Sequence, residues 1–288
     1  MQRVSVLLAA AAGCSGNPLP SNDAGHPETR HFVISEMTIL ERDDIRAFDL
    51  NGDGIADNQL GALPNAVSEK FNGLISSGFV ILLVELIDVE SPVDDPKIGL
   101  RVYGGQDKDG NPSNNFTGSE HFNIDHASLD PDGEPLLHSD SSLQHGSFVV
   151  DFGQATVTFF GIPLTRVHIT ASLLENQSEL NDGVLAAGIS IGTLANTGGV
   201  ASENLLKLLA VNLTTQPDLD NDDDGLETLV DTDGDTIIDR CIDGDGTAID
   251  GIDCVHDPRI ADGFSTAFGL AAVRCTIDCN PSAGPCPK

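Results

Sequence analysis

The sequence predicts a mainly β protein, an antiparallel β-sandwich with two short helices and an Asp-rich insertion near the C-terminus. Three observations support this prediction. Apolar and polar residues alternate in several short runs, the apolar content of 40% is sufficient for a core, and sixteen acidic residues are concentrated in 218–262. The run 166–173 shows the alternation most clearly, because every second side chain is apolar. A strand of this kind has one face on a core and the other in water.

Eight runs are predicted as strands from this alternation and from β-branched and aromatic residues. They are 31–40, 79–89, 98–103, 148–152, 156–160, 164–174, 185–191 and 262–277. Helices are predicted at 62–75 and 201–211, where apolar residues recur at helical spacing. The expected organisation is an export signal at 1–14, a flexible tether at 15–30 that is rich in small and polar residues, a β-sandwich domain at 31–217, calcium loops at 218–262, and a last strand with a Cys-rich tail at 263–288.

The acidic segment 218–262 has the residue spacing of calcium-binding loops. Calcium takes six to eight oxygen ligands at about 2.3–2.6 Å, so a short loop must aim several oxygens at one point. Aspartates at alternate positions before a glycine do this. The predicted ligands are Asp220, Asp222, Asp224, Asp231, Asp233, Asp235, Asp239, Asp243 and Asp245. A solvated acidic linker is the alternative, but a linker does not need this spacing.

A second calcium loop is predicted at 49–60. Its expected ligands, at positions one, three, five and nine, are Asp49, Asn51, Asp53 and Asp57. Gly54 stands at position six, whereas Leu60 stands at position twelve, where a bidentate carboxylate is usual. The alternative is an ordinary turn between two elements. A shorter pattern of the same type at 107–111 is predicted to be a hairpin loop.

The acidic segment departs from EF-hand loops. Position twelve is Asp231 in the first frame and Ile242 in the second, and no amphipathic helix flanks the frames. Residues 231–241, with the sequence DTDGDTIIDRC, resemble thrombospondin type 3 repeats, in which consecutive calcium loops share ligands and are stapled by cysteines. The resemblance implies a calcium-ordered segment with little regular secondary structure, and implies nothing about catalysis.

The start of the chain has the features of a lipoprotein export signal. Residues 4–12 form an apolar run too short to span a bilayer, and small residues precede Cys14. This pattern resembles the lipobox of bacterial lipoproteins, in which the cysteine is acylated, although Ala11 stands where Leu is usual. We therefore predict lipidation of Cys14 and membrane contact through the lipid alone, with simple secretion as the alternative.

The other cysteines lie in or after the acidic segment, at Cys241, Cys254, Cys275, Cys279 and Cys286. In an exported protein, such clustering favours disulfides over a metal site. Two bridges and one free thiol are predicted, with the pairing open. A zinc site formed by Cys275, Cys279, Cys286 and His256 is the alternative, but no CxxC pair is present.

Catalysis has little support in the sequence. Residues 188–192 fit the Gly-x-Ser-x-Gly pattern with Ser190 as nucleophile, but the residues after Ser190 predict a turn instead of the helix that this motif requires. A calcium-dependent hydrolase is therefore the alternative to a non-catalytic role. The formal charge of −31 argues against nucleic acid as a partner.

The chain as a whole resembles a group of bacterial envelope lipoproteins that have no assigned activity. The resemblance rests on the lipobox-like start, on residues 48–61 (FDLNGDGIADNQLG), and on the Asp-rich region before the last hydrophobic strand. It implies a calcium-binding protein that is anchored to the outer membrane or secreted. We expect an interaction or adhesion role with an unknown protein or glycan partner, and calcium-dependent glycan binding is a further alternative.

Overall fold

The computed structural model describes residues 27–50, 54–62, 65–153, 157–159, 162–190, 219, 228–230, 240–242, 248–250, 263–281, 284 and 286–287. Its strands are β1 (Glu28–Ile39), β2 (Leu82–Val89), β3 (Asp95–Asp107), β4 (His121–Ile124), β5 (Leu137–Leu143), β6 (Ser147–Asp151), β7 (Val157–Phe159), β8 (Ile162–Leu173), β9 (Glu179–Ser190), β10 (Thr228–Val230), β11 (Arg240–Ile242), β12 (Ala248–Asp250), β13 (Gly263–Arg274) and β14 (Thr276–Asp278). One α-helix, α1 (Asn65–Ser76), and two 3-10 turns, Gln59–Ala62 and His126–Ser128, complete the described elements.

Eleven strands form one mixed sheet in the order β14, β4, β3, β2, β1, β13, β9, β8, β6, with β5 added on β3 and β7 on β8. All pairs are antiparallel except β14 with β4. The sheet curls, so β5, which pairs with β3, and β6, which pairs with β8, lie side by side, and Ser141 Oγ donates to the Val149 carbonyl at 2.7 Å. The mainly β class is confirmed. The eleven strands form one hydrogen-bonded sheet. The predicted division into two facing sheets is therefore not confirmed and stays a prediction.

The main core lies on the inner face of the curled sheet. Alternate residues of the strands point inward, and Phe32, Leu86, Leu100 and Phe148 are almost completely buried there. Each such side chain contributes about 1.5–3 kcal/mol relative to exposure. Side chains of β1, β2, β3, β6, β8, β9 and β13 also line a cavity of about 30 Å³ that is entirely apolar.

Helix α1 covers the part of β1 that β2 does not reach. The pairing of β1 with β2 ends at Val33, which leaves the amide groups of Met37 and Ile39 without a strand partner on that edge. Asn72 Oδ1 accepts from Met37 N and Ser68 Oγ accepts from Ile39 N, both at 2.9 Å. The side chains of the helix therefore accept the hydrogen bonds that this open sheet edge would otherwise lack. The helix predicted at 62–75 is confirmed, and the one predicted at 201–211 lies outside the described residues.

Two smaller apolar clusters lie outside the main core. One contains Tyr103, Phe122 and Cys275 under β4 and β14. The other, called here the junction cluster, contains Leu40, Leu50, Val184, Ala186, Leu219 and Ala267. Leu50 belongs to the predicted 49–60 loop and Leu219 to the acidic segment, so the junction cluster brings the two regions together.

The eight predicted strand runs all overlap observed strands, whereas β4, β5 and the small antiparallel sheet of β10, β11 and β12 were not predicted. That small sheet consists of three-residue strands within the acidic segment. Across the described part of the chain, no helix combines the length and apolarity needed to cross a membrane.

Candidate functional site

The two ends of the acidic segment are attached to each other at the main sheet. Leu219 N donates to the Gly263 carbonyl at 3.1 Å, and Gly263 N donates back to the Leu219 carbonyl at 3.0 Å. The Leu219 side chain is fully buried in the junction cluster. Since Gly263 begins β13, the acidic segment leaves the main sheet and returns to it at one place.

The described part of the 49–60 loop is closed by carboxylate hydrogen bonds. Asp49 Oδ2 accepts from Gly54 N at 2.8 Å, which joins positions one and six. Asp57 Oδ2 accepts from Leu50 N at 2.7 Å, and Asp57 N donates to the Phe48 carbonyl, also at 2.7 Å. Gly54 has a φ of +86°, a conformation that glycine adopts without strain. The loop therefore places Asp49 at the surface and the Asp57 carboxylate inside.

Asn58 fixes the end of this loop to the main sheet. Its side chain is 2% exposed, and its amide group makes three hydrogen bonds with backbone groups. Asn58 Nδ2 donates to the carbonyls of Leu40 and Glu41, at 2.8 and 3.0 Å, and Asn58 Oδ1 accepts from Ala267 N at 2.9 Å. A buried amide with this set of partners has one allowed orientation.

Arg166 holds the loop from the side of β8. It has a φ of +48° and lies where the pairing of β8 with β9 shifts register. A non-glycine residue at such an angle costs about 1–3 kcal/mol and persists where its surroundings fix it. Arg166 Nη1 donates to the Leu50 carbonyl at 2.9 Å, so both backbone groups of Leu50 are bonded.

Of the predicted calcium ligands, only Asp49 and Asp57 are among the described residues, and their carboxylates bond to different backbone amides, those of Gly54 and Leu50. The others lie outside: Asn51, Asp53, Asp220, Asp222, Asp224, Asp231, Asp233, Asp235, Asp239, Asp243 and Asp245. Within the described ranges, no three His, Cys, Asp or Glu side chains are arranged to hold a metal ion. Both calcium sites therefore stay predictions. Cys14 also lies outside the described residues.

The segment 107–111 was predicted to be a hairpin loop, and it begins the longer connection between the antiparallel strands β3 and β4. Its acidic side chains close the turn: Asp107 Oδ1 accepts from Asp109 N and Gly110 N, both at 3.1 Å. Asp109 Oδ1 accepts from Asn111 N at 2.8 Å. These Asx-type bonds explain the residue types without a metal.

Cys279 and Cys286 form a disulfide with a Cα to Cα distance of 5.8 Å. Both sulfurs are thereby unavailable to the alternative zinc site. Cys275 is a buried free thiol, and burial raises its pKa to about 12. Such a thiol is unreactive because the thiolate is the nucleophile. The backbone of Cys241 lies in β11, and Cys254 lies outside the described residues.

A partly buried polar network that the sequence did not predict lies on the outer face of β1, β2 and β3. Glu85 accepts hydrogen bonds from His31 Nε2 at 3.1 Å, from the Tyr103 hydroxyl at 2.8 Å, and from Arg101 Nη1 at 3.4 Å. His31 Nδ1 accepts from Ile277 N at 3.2 Å, which assigns the ring hydrogen to Nε2. The network therefore ties three strands to the C-terminal strand β14.

The charge on Glu85 is set by these bonds. Burial acts to raise the Glu85 pKa, but the hydrogen bonds from His31 and Tyr103 outweigh it and lower the pKa below its ordinary value. Burial, and then the charge of Glu85, raises the Tyr103 pKa above its usual range. His31, Tyr103 and Arg101 each donate a hydrogen bond to Glu85, which is the arrangement of a structural network. The sequence signal available for this network was Glu85 itself, an acid that stands between apolar residues of β2.

Ser190, the nucleophile of the alternative hydrolase, is the last residue of β9, where it pairs with Gly263. Residues 191–218, which follow it, and His256 lie outside the described residues. Its backbone therefore belongs to a regular antiparallel ladder beside the junction cluster.

Comparison with known proteins gives no family. No protein-family model matches the chain, and neither curated proteins nor solved structures give a match. The chain is thus defined as a mainly β protein with an anchored acidic segment, and its function has to be argued from its own residues.

Proposed function

We propose that the chain is an exported, lipid-anchored envelope protein whose Asp-rich regions bind calcium and thereby stiffen a β domain without catalysis. The observation that carries the proposal is the reciprocal bonding of Leu219 and Gly263. Because the acidic segment is fixed to the main sheet at both ends, ordering of its loops restrains the sheet as well. A free acidic tail would not do so.

Electrostatics supports the same role. Sixteen acidic residues in one segment repel one another, by about 1 kcal/mol for each pair at 4 Å in water. Bound calcium removes this repulsion and replaces it with metal–oxygen bonds. Extracellular calcium modules bind at about 10⁻⁴–10⁻³ M, and we expect affinities in that range. Structural stiffening requires only that the sites are filled where calcium is plentiful.

Isothermal titration of the purified full-length protein with calcium tests the proposal. We expect saturable binding that is weakened by a combined Asp220→Asn, Asp222→Asn and Asp224→Asn variant. The matched control is Asp130→Asn, since Asp130 is an acidic turn residue outside both regions whose carboxylate accepts from Glu134 N. Absence of calcium binding by the parent protein contradicts the proposal.

Lipid anchoring has its own test. A radiolabelled fatty acid supplied to an expressing bacterium should label the parent protein and fail to label Cys14→Ser, because acylation requires the thiol. Equal labelling of the two proteins contradicts anchoring at Cys14.

A further inference from the structure

We propose that residues 276–280, called here the flap, detach from the rest of the sheet in mild acid, because two histidines that hold them must be uncharged. The flap consists of β14 and the two residues after it. The inference goes beyond the proposed function and depends neither on calcium nor on the lipid anchor. Three histidines from distant parts of the chain contact the flap: His31, His121 and His126.

The flap lies over the outer face of the sheet. β14 pairs in parallel with β4, and Ile277 packs against the apolar cluster that contains Tyr103, Phe122 and Cys275. The pairing with β4 spans only three residues. A strand pair of this length is short, so the attachment of the flap depends on its side-chain contacts as well.

His31 holds the flap through a nitrogen that must carry no hydrogen. Ile277 N donates to His31 Nδ1 at 3.2 Å, and an imidazole nitrogen accepts a hydrogen bond only when it is not protonated. The other ring nitrogen, Nε2, is bonded to Glu85 Oε1 at 3.1 Å. Protonation of His31 therefore places a hydrogen on Nδ1 that faces the Ile277 N–H, and the bond to the flap is lost.

The charged groups around His31 act equally on the attached and the detached flap. The titratable groups that face His31 are Glu85 of β2, Arg101 and Tyr103 of β3, and the buried thiol of Cys275. Glu85, whose pKa lies below its ordinary value, favours a charged imidazole. None of these groups belongs to the flap, so their effect on His31 persists when the flap detaches. Only the Ile277 bond differs between the two states, and it disfavours the proton in the attached state.

His126 imposes the same requirement on the end of the flap. Its Nε2 lies 3.2 Å from the Asn280 carbonyl, which accepts, so the ring hydrogen of the neutral imidazole is on Nε2. Its Nδ1 is buried, and no atom of the described residues bonds to it. The carboxylate of the neighbouring Asp125 accepts from Ala127 N at 3.1 Å instead. A charged His126 would carry an unbonded hydrogen on this buried nitrogen, a cost that disappears when the flap detaches and water reaches the ring.

His121 acts in the opposite direction. Its Nδ1 lies 3.0 Å from Asp278 Oδ2, which Lys108 Nζ also contacts, at 2.8 Å. The hydrogen bonds from Lys108 and His121 lower the Asp278 pKa, so this carboxylate is charged where imidazoles titrate, and protonation of His121 strengthens the contact. The His121 and Asp278 side chains are 51% and 34% exposed, and exposed ion pairs contribute little. The two losses therefore outweigh the one gain.

The detached flap consequently binds protons more tightly than the attached flap. Imidazoles titrate near about pH 6.5, so a fall from about pH 7.5 to about pH 5.5 shifts the equilibrium toward detachment. Detachment also uncovers the apolar cluster that contains Tyr103 and Phe122. The flap is thus a pH-sensitive element that exposes apolar surface in acid.

Amide hydrogen exchange of the full-length protein tests the release. The measured quantity is the protection factor, in which the pH dependence of the intrinsic exchange rate is divided out. Between about pH 7.5 and about pH 5.5 we expect the protection of the Ile277 amide to fall at least about tenfold. The Gly105 amide, which donates to the Ile81 carbonyl within the sheet, should keep its protection. Constant protection of Ile277, or an equal loss at Gly105, overturns the inference.

Non-titrating substitutions test the two histidines. His31→Asn keeps an oxygen acceptor near the position of Nδ1, and His126→Gln keeps a donor near the position of Nε2. In the combined variant, the protection of Ile277 should change by less than about twofold over the same pH range. The Gly105 amide reports whether the variant is folded. A pH dependence equal to that of the parent protein contradicts the role assigned to the two histidines.

His121→Asn should change the pH dependence with the opposite sign. It removes the protonation that strengthens the Asp278 contact, so Ile277 should lose protection more steeply in acid than in the parent protein. The matched control is His145→Asn in the exposed turn between β5 and β6, where the φ of +53° suits asparagine. This control should behave as the parent protein does. Loss of the pH dependence in His121→Asn would overturn the assignment to His31 and His126.

Discussion

Leu219 and Gly263 exchange two backbone hydrogen bonds although the whole Asp-rich segment lies between them in the chain. This pair continues the hydrogen bonding of β13 beyond the end of β1. It also makes the acidic segment an insertion whose two ends leave from one point. Any event that orders the segment acts on a buried strand edge, and several consequences can be measured.

Substitution of two glycines separates a constrained position from a free one. A Cβ on Gly61 would lie 2.5 Å from Arg42 N and 2.7 Å from Asn58 Nδ2, so Gly61→Ala should lower the free energy of unfolding by about 1–3 kcal/mol. A Cβ on Gly73 in α1 meets nothing within 4 Å, so Gly73→Ala should raise it by about 0.5–1 kcal/mol. Urea unfolding measures both. Equal effects of the two substitutions would contradict the described packing of the loop end.

The Glu85 network predicts a specific dependence of stability on pH. A carboxyl with a lowered pKa stabilises the folded state above its ordinary titration range, and this contribution is lost as the pH falls through the lowered pKa. Glu85→Gln should therefore cost about 1–3 kcal/mol at neutral pH, and its difference from the parent should shrink as the pH falls from about 5 to 3.

Urea unfolding at a series of pH values measures this difference. The matched control is Glu69→Gln on the exposed face of α1, where we expect almost no change at any pH. A constant difference between Glu85→Gln and the parent protein across the pH range would contradict a charged Glu85 as the acceptor of the network.

The cysteines predict a defined labelling pattern. Cys275 should resist alkylation at about pH 8 in the native protein, because its pKa is near 12, and should react fully in denaturant. Peptide mapping without reduction should link Cys279 to Cys286. The second predicted bridge then has only Cys241 and Cys254 to form it. Native alkylation of Cys275, or its recovery in a disulfide, contradicts this assignment.

Local pattern predicted much of the fold, because β8 and α1 carry their periodicity in the sequence. By contrast, β5 has the sequence LHSDSSL and buries only Leu137 and Leu143, so it lacks an apolar run to reveal it. Its place in the sheet depends on pairing with β3, which is a long-range contact. Patterns read along the chain do not contain that information.

In the candidate site too, contacts between residues distant in the chain could not be predicted from the sequence pattern. The spacing of the aspartates was visible in the sequence, but the role of Asn58 was not, since its partners Leu40 and Ala267 are distant in the chain. Glu85 likewise stands alone in an apolar run, and only the register of β1, β2 and β3 places His31 and Arg101 beside it. The spacing of the aspartates therefore indicated calcium chemistry, whereas the hydrogen-bond partners of Asn58 and Glu85 depended on the pairing of distant strands.

Thermal unfolding of the full-length protein, with millimolar calcium and with excess chelator, tests the central claim most directly. Ligand that binds only the folded state stabilises it by RT ln(1 + [L]/Kd), which is about 0.4–1.4 kcal/mol per site at 1 mM calcium for a Kd of about 10⁻³–10⁻⁴ M. We predict a Tm that rises with calcium concentration, returns on chelation, and rises less in the combined Asp220→Asn, Asp222→Asn and Asp224→Asn variant. Identical melting curves with calcium and with chelator would contradict calcium-dependent stiffening of the β domain.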